Sequence, residues 1–331
     1  MSELGHHLLE IDLEAEADHI AGWLRDATAR TLRRRGLVVA ISGGIDSSCC
    51  AALAVRALGP ERVLGLVLPE RDSSDDSAGR ARVLAAHLGI EVEAVDIAPA
   101  LEALGCYRDR DAAVRNVLPG YGPGWRFKIA IDGGIDGRIN MFRLVAEDPA
   151  GGRHESMLGL SDYLQIVAAT NYKQRVRKTI EYYHADRLNY AVVGTPNRLE
   201  YDQGFFVKNG DGSADVKPIA HLYKTQVYAM ARHLGLPERV CAAVPTTDTY
   251  SLAQGQDEFY FALPYREMDL ALWSVEHGHG AAELARALGI SERQAAAVHA
   301  DIANKRRSTR YLHERPMLVP GTTAMLEDAA A

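Results

Sequence analysis

Residues 36–50 read GLVVAISGGIDSSCC, and what this stretch becomes decides the fold. Leu37, Val38, Val39, Ala40 and Ile41 form an apolar, partly β-branched run, as expected of a strand buried on both faces at the centre of a parallel sheet. Ser42, Gly43 and Gly44 then predict a tight turn, because glycine takes positive φ at little cost and lets a ligand approach the backbone closely. A helix opening near Asp46 would present unpaired N–H groups and its positive dipole end to that turn, which suits an anion, phosphate above all. The Lys-Ser/Thr that closes a G-x-x-x-x-G-K-[ST] loop is missing here. The simpler alternative is a strand-to-helix turn with a Ser/Asp cap.

Taken together, Ser42-Gly43-Gly44-Ile45-Asp46-Ser47 resembles the S-G-G-x-D-S loop of the N-type ATP pyrophosphatases. In that superfamily the loop holds the pyrophosphate that leaves when a substrate oxygen is joined to AMP. Outward from the loop, the pattern predicts a helix over 47–58, a strand over 63–68, a helix over 75–88 and a strand over 91–96. Strands alternating with helices of this length specify right-handed crossovers and a parallel sheet covered on both faces. Ligands of such sheets bind beyond the carboxyl ends of the strands, where Ser42, Pro69 and Asp96 fall. A further strand is expected over 190–194, followed by Thr195-Pro196-Asn197, with helices over 7–33, 161–186, 221–234, 264–277, 281–288 and 291–305. In the helix over 161–186, Leu164, Val167, Ala168 and Ile180 are expected to face the sheet.

The order breaks between 105 and 159. There LPGYGPGW precedes two alternating segments, 127–131 and 139–145, around DGGIDG, a hairpin signal. This stretch is read as an insertion projecting from a single domain over 1–320, with a frayed tail over 321–331.

With 331 residues and 47% hydrophobic content, a buried core is well supplied. A net charge of −7 argues against a nucleic-acid partner, whose phosphates need a basic excess. Cys49, Cys50, Cys106 and Cys241 form no C-x-x-C, so neither a disulfide framework nor a zinc site is expected and the cytoplasm is the default location. The acidic N-terminus is unlike a signal peptide, and no apolar run is long enough to span a membrane.

The second informative stretch is GTPNRLEYDQGFFVKNGDGSADVKPIAHLYK over 194–224, a long glycine-bearing loop at a strand end, a place where proteins often bind ligands. With it the resemblance narrows to the NAD synthetase family. Those enzymes share S-G-G-x-D-S, N-x-K-x-R-x-R, G-T-x-x-x-x-E, G-F-F-x-K-x-G-D-G-x-A-D, L-x-K-x-Q and P-T-x-D. This chain carries them in that order as Asn171, Lys173, Arg175 and Arg177; Gly194, Thr195 and Glu200; residues 204–215; Leu222, Lys224 and Gln226; and Pro245, Thr246 and Asp248.

The resemblance implies an adenine-nucleotide α-hydrolase-like, Rossmann-like α/β fold, a doubly wound parallel sheet with an inserted β-hairpin region. It implies a ligase that activates the carboxylate of deamido-NAD with ATP, releases pyrophosphate and lets ammonia displace AMP to give NAD. Asp46, Glu200 and Lys224 would be the catalytic groups, with Asp46 and Glu200 holding Mg²⁺ as hard oxygen ligands. ATP would be bound by Ala40, Ile41, Ser42, Gly43, Gly44, Ile45, Asp46, Ser47, Thr195, Lys224 and Thr246. Arg175, Lys208 and Asp215 would hold deamido-NAD across a homodimer interface. Ammonia would arrive free or from a separate glutaminase, since no Cys or Glu-Lys-Cys arrangement for hydrolysing glutamine is found in the sequence.

Each residue taken alone has a plainer reading. Lys173, Arg175 and Arg177 would be a solvated helix face, Glu200 and Lys224 a surface pair, Asp211 and Asp215 turn formers. The stretch 108–154, with Arg108, Arg110, Arg115, Trp125, Arg126 and Lys128, suits a cationic, aromatic lid, an oligomer contact or a surface hairpin. The family's C-terminal His-Lys pair is replaced by Asn304-Lys305-Arg306. Two other functions stay open on the residues: an adenylating amide ligase for another carboxylic acid, and an ATP-binding regulator without catalysis.

Overall fold

The computed structural model describes residues 3–73, 75–132, 141–243, 250–252, 260–261 and 263–319. Thr246, with Pro245 and Asp248, the centre of the DGGIDG turn and the tail over 321–331 lie outside these residues.

The core is a four-stranded parallel sheet in the order β3-β2-β1-β7, from Leu37–Ala40 (β1), Val63–Val67 (β2), Glu91–Ala94 (β3) and Ala191–Val193 (β7). Alternate side chains leave opposite faces of each strand, and the two faces meet different partners. Leu37, Val39, Val63, Val67 and Val193 pack with the helices Leu13–Asp26 (α1) and Ile45–Leu58 (α2). Val38, Leu64, Leu66 and Val192 pack on the other side, against Leu101 of Ala98–Ala103 (α4), Tyr107 of Cys106–Val117 (α5) and Ala185 of Leu160–Leu188 (α6). Helices on both faces make the sheet doubly wound, as expected.

Asp75–Leu88 (α3) follows β2. After β3 the chain forms α4 and α5, which the sequence reading left unassigned, and then an antiparallel sheet of Arg126–Asp132 (β4), Met141–Glu147 (β5) and Arg153–Met157 (β6). The expected hairpin is therefore β4–β5, extended by a third strand. RHESM alternates in exposure without any apolar residue on its inner side, so it gives no strand signal to hydropathy. Within this stretch Arg110 is not a lid cation. Its side chain is 3% exposed and paired with Asp72 and Asp111.

The 29 residues of α6 reach about 44 Å at 1.5 Å per residue, enough to touch both sheets: Ile166 packs with Phe127 and Leu144, Ala185 with the parallel sheet. Its buried face is only partly the one expected: Ile180 packs against the parallel-sheet cluster as expected. Leu164 and Ala168 are exposed, and the interior face carries Ile166, Ala169, Thr170, Lys173, Lys178, Glu181 and Ala185. Buried ion pairs, not a leucine stripe, mark the inside of this helix. Arg198–Gln203 (α7), Lys224–His233 (α8) and Glu238–Cys241 (α9) follow β7. Tyr265–Glu276 (α10), Ala281–Leu288 (α11) and Glu292–His313 (α12) gather with Leu199 and Tyr223 in a further apolar cluster. Among the described residues no helix is long and apolar enough to cross a membrane.

Candidate active site

The strand order places the topological switch point between β1 and β7, which are hydrogen-bonded neighbours although 150 residues of chain separate Ala40 from Ala191. That is where a doubly wound sheet opens a crevice at its carboxyl edge. The predicted loop lies at the end of β1. Gly43 has φ +78° and a Cβ there would stand 2.4 Å from the Ser77 carbonyl oxygen, so both conformation and contact demand glycine. The Gly44 N–H donates to Ser42 Oγ at 3.2 Å, the Ser42 N–H to Ser47 Oγ at 3.3 Å, and Ser47 Oγ to the Gly44 carbonyl at 3.1 Å. From α3, the Arg80 Nε donates to the Gly43 carbonyl at 2.9 Å.

Asp46, in the first turn of α2, meets residues delivered by β7 and α8. Lys224 Nζ donates to Asp46 Oδ2, and Asn197 Nδ2 donates to Asp46 Oδ1 at 3.0 Å. Asn197 caps α7: its Oδ1 accepts from the Glu200 N–H at 3.2 Å, and its own N–H donates to Glu200 Oε2 at 3.1 Å. Asp46, Glu200 and Lys224 are thus brought into one network. Lys224 is only 1% exposed. Burial alone pulls its ammonium down, yet the charges of Asp46 and Glu200 outweigh that and raise it above the ordinary lysine range. The pair is no surface bridge. Asn197 is the member the sequence reading missed, though an N-cap three residues before an acid is a capping-box signal.

Arg175 and Lys208 meet elsewhere, where Arg175 Nε donates to the Lys208 carbonyl at 3.3 Å. Lys208 Nζ donates to the carbonyls of Tyr311 at 2.6 Å and Glu314 at 3.1 Å, at the C-terminal end of α12. Gly204 lets that helix approach: its φ is +70°, and a Cβ would stand 2.3 Å from Thr309. Asp215 Oδ2 accepts from the Val192 N–H at 2.7 Å and Oδ1 from Tyr182 at 3.4 Å, so it braces β7. Thr195 follows β7 and is half-buried.

Lys173 is not on a solvated face. It is 1% exposed and donates to Glu70 at 2.9 Å and Asp72 at 2.8 Å, while Tyr107 donates to the other Glu70 oxygen at 2.8 Å. Burial alone would raise the Asp72 carboxyl, but Lys173 and Arg110 hold it below its ordinary value. These bonds, with Arg177 on the Leu68 carbonyl at 3.3 Å, fasten α6 to the loop after β2. Beside that loop Pro69 and Asp96 line a cavity of about 550 Å³ with Arg71, Glu102 and Tyr107. It lies at the carboxyl edge, as expected for a ligand site, but holds neither Asp46 nor Glu200.

Among the described residues no group of three or more His, Cys, Asp and Glu converges as a metal cage. Two carboxylates suit magnesium, which binds proteins through one or two carboxylates and takes phosphate oxygens and water for the rest.

The family model for NAD synthase matches residues 16–117 and 154–315. The chain belongs to the NAD synthase family. It is 57% identical to the NH(3)-dependent NAD(+) synthetase of Rhizobium meliloti over 312 residues, 94% of this chain and 93% of that one. With the protein of the same name from Thermotoga neapolitana it shares 37% over 246 residues, 73% of this chain and 78% of that one. Among solved structures, NAD+ synthetase from Burkholderia pseudomallei matches with TM-score 0.56 and 26% identity over 92% of this chain and 91% of that one. The NMN synthetase of Francisella tularensis matches with TM-score 0.65 at 22% identity, over 94% of this chain and all of that one, a likeness of fold.

Proposed function

We propose that this chain is an ammonia-dependent NAD synthase, joining ammonia to deamido-NAD at the expense of ATP. A carboxylate oxygen of deamido-NAD bonds to the α-phosphorus of ATP as pyrophosphate leaves. Ammonia then bonds to the acyl carbon of this acyl adenylate, AMP departs with the C–O electron pair, and a proton is lost to give the amide. Activation is needed because a carboxylate oxygen is a poor leaving group and a phosphate ester a good one.

The observation that carries the site assignment is the convergence of Asp46, Glu200 and Lys224 at the switch point beside the glycine turn. In this reading the turn and the start of α2 receive the outgoing pyrophosphate. Lys224 supplies a fixed positive charge there, in a dry setting where such a charge acts strongly. Asp46 and Glu200 hold Mg²⁺, which when bound neutralises charge gathering on the phosphate oxygens. Thr195 lies beside the nucleotide. Arg175 and Lys208 offer cations to the pyrophosphate of deamido-NAD, and Asp215 holds the β7 edge. The domain takes in residues 1–320, and the working form is a homodimer.

The test is to incubate the pure protein with deamido-NAD, ATP and Mg²⁺ and to supply either ammonium or glutamine. NAD, AMP and pyrophosphate are expected with ammonium. Equal NAD formation from glutamine would refute ammonia dependence, and ADP with orthophosphate would refute the acyl adenylate.

A further inference from the structure

We infer that Asn197 is a positioning residue that sets Asp46 and Glu200 against one another, an inference resting on the reading of those two carboxylates as the Mg²⁺ ligands. Its side chain is fully buried, and three of its hydrogen bonds reach the two acids: Nδ2 to Asp46, Oδ1 from the Glu200 N–H, and its own N–H to the Glu200 carboxylate. A cap for α7 needs only an acceptor, which Ser, Thr or Asp would provide equally well. The amide nitrogen does more than capping requires. It points to Asp46, 151 positions earlier in the chain, and turning the amide over would set oxygen against carboxylate and NH₂ against N–H, losing both bonds. Lys224 occupies the other Asp46 oxygen, so Asp46 is held from two sides while Glu200 is held by the same asparagine. Partners behind metal ligands that fix their orientation commonly change metal affinity about 10- to 100-fold when lost.

Asn197→Ser separates the two roles, because it keeps the capping oxygen and removes the donor to Asp46. The probe is Mn²⁺ titrated by calorimetry into protein saturated with an ATP analogue bearing a methylene between the α and β phosphates. The expected result is a loss of about tenfold or more in Mn²⁺ affinity, with an unfolding midpoint close to that of the unaltered protein. In combination with Asp46→Asn the loss should not add in full, since Asn197→Ser acts through the Asp46 carboxylate that the second change removes. Unchanged Mn²⁺ affinity, or a fully additive loss, overturns the inference. Should the serine variant not fold, Asn197→Thr keeps the same acceptor and answers the same question. Asp46→Asn and Glu200→Gln, which leave Asn197 in place, test the underlying reading separately: if neither weakens Mn²⁺ binding, the metal assignment falls and this inference with it.

Discussion

Each oxygen of Asp46 faces a donor, Asn197 on one side and Lys224 on the other. An asparagine in its place must turn its NH₂ toward one of them, so it loses a bond as well as a charge. Lys224 is buried, but Glu200 still offers it a counter-charge. Asp46→Asn is therefore expected to unfold cooperatively while AMP release under saturating ammonium falls about 10²-fold or more. Steady-state AMP assays beside a thermal melt check both halves, and near-normal turnover would remove Asp46 from the chemistry.

At the scale of elements, α6 is fastened to the core by charge. Lys173→Met leaves Glu70, whose side chain is fully buried, and Asp72 without the ammonium they share. Breaking a buried pair from one side typically costs about 3–5 kcal/mol, which denaturant unfolding would read directly; a loss under about 1 kcal/mol would show the cluster to be well hydrated. The amino end of α8 gives a pH-dependent counterpart. Asp269 accepts from the N–H groups of Lys224 and Thr225 at 3.2 and 2.7 Å, and burial pushes its carboxyl up to about 6 against those bonds. A carboxyl raised on folding favours the native state while protonated, so its contribution is full below about pH 4 and is lost as pH rises to about 6. The stability of the native chain minus that of Asp269→Asn should fall by up to about 3 kcal/mol across that window, and a flat difference would contradict the raised carboxyl. Both sites show what hydropathy can and cannot read. The strands β1, β2 and β7 were legible because strands buried on both faces are apolar throughout, the edge strand β3 because its charged and apolar residues alternate, and the loop after β1 because its glycines and serines have few other uses. By contrast α5, CYRDRDAAVRNV, hides its contacts under charge. Lys173, Arg175 and Arg177 look alike in sequence, yet a helix turns 100° per residue, so Lys173 reaches the interior and Arg175 stays outside. Nothing in composition distinguishes a lysine that will meet Glu70 from one that will meet water.

At the scale of the whole molecule, the exposed side of α6 extends the same argument to a second copy of the chain. Leu160 is 73% exposed, Leu164 54% and Tyr183 61%, and with Ala168, Arg175 and Thr179, all exposed, they follow one another at helical spacing along one face. Met157 at the end of β6 adds to the apolar end at 43% exposure. The apolar end of this face, Leu160 and Leu164 with Met157, has the character that association surfaces use, and a two-fold axis can bring such a face against its own copy. In a homodimer formed this way, Arg175 lies in the interface and the dinucleotide site draws on both protomers. Leu164→Glu places a charge in the apolar part of that face while leaving the interior of α6 untouched. Sedimentation velocity should show the unaltered chain as a dimer and the variant shifted toward monomer, with the KM for deamido-NAD raised more than that for ATP. An unaltered chain that sediments as a monomer would refute the dimer, and a variant that dissociates without any change in the deamido-NAD KM would separate the interface from the substrate.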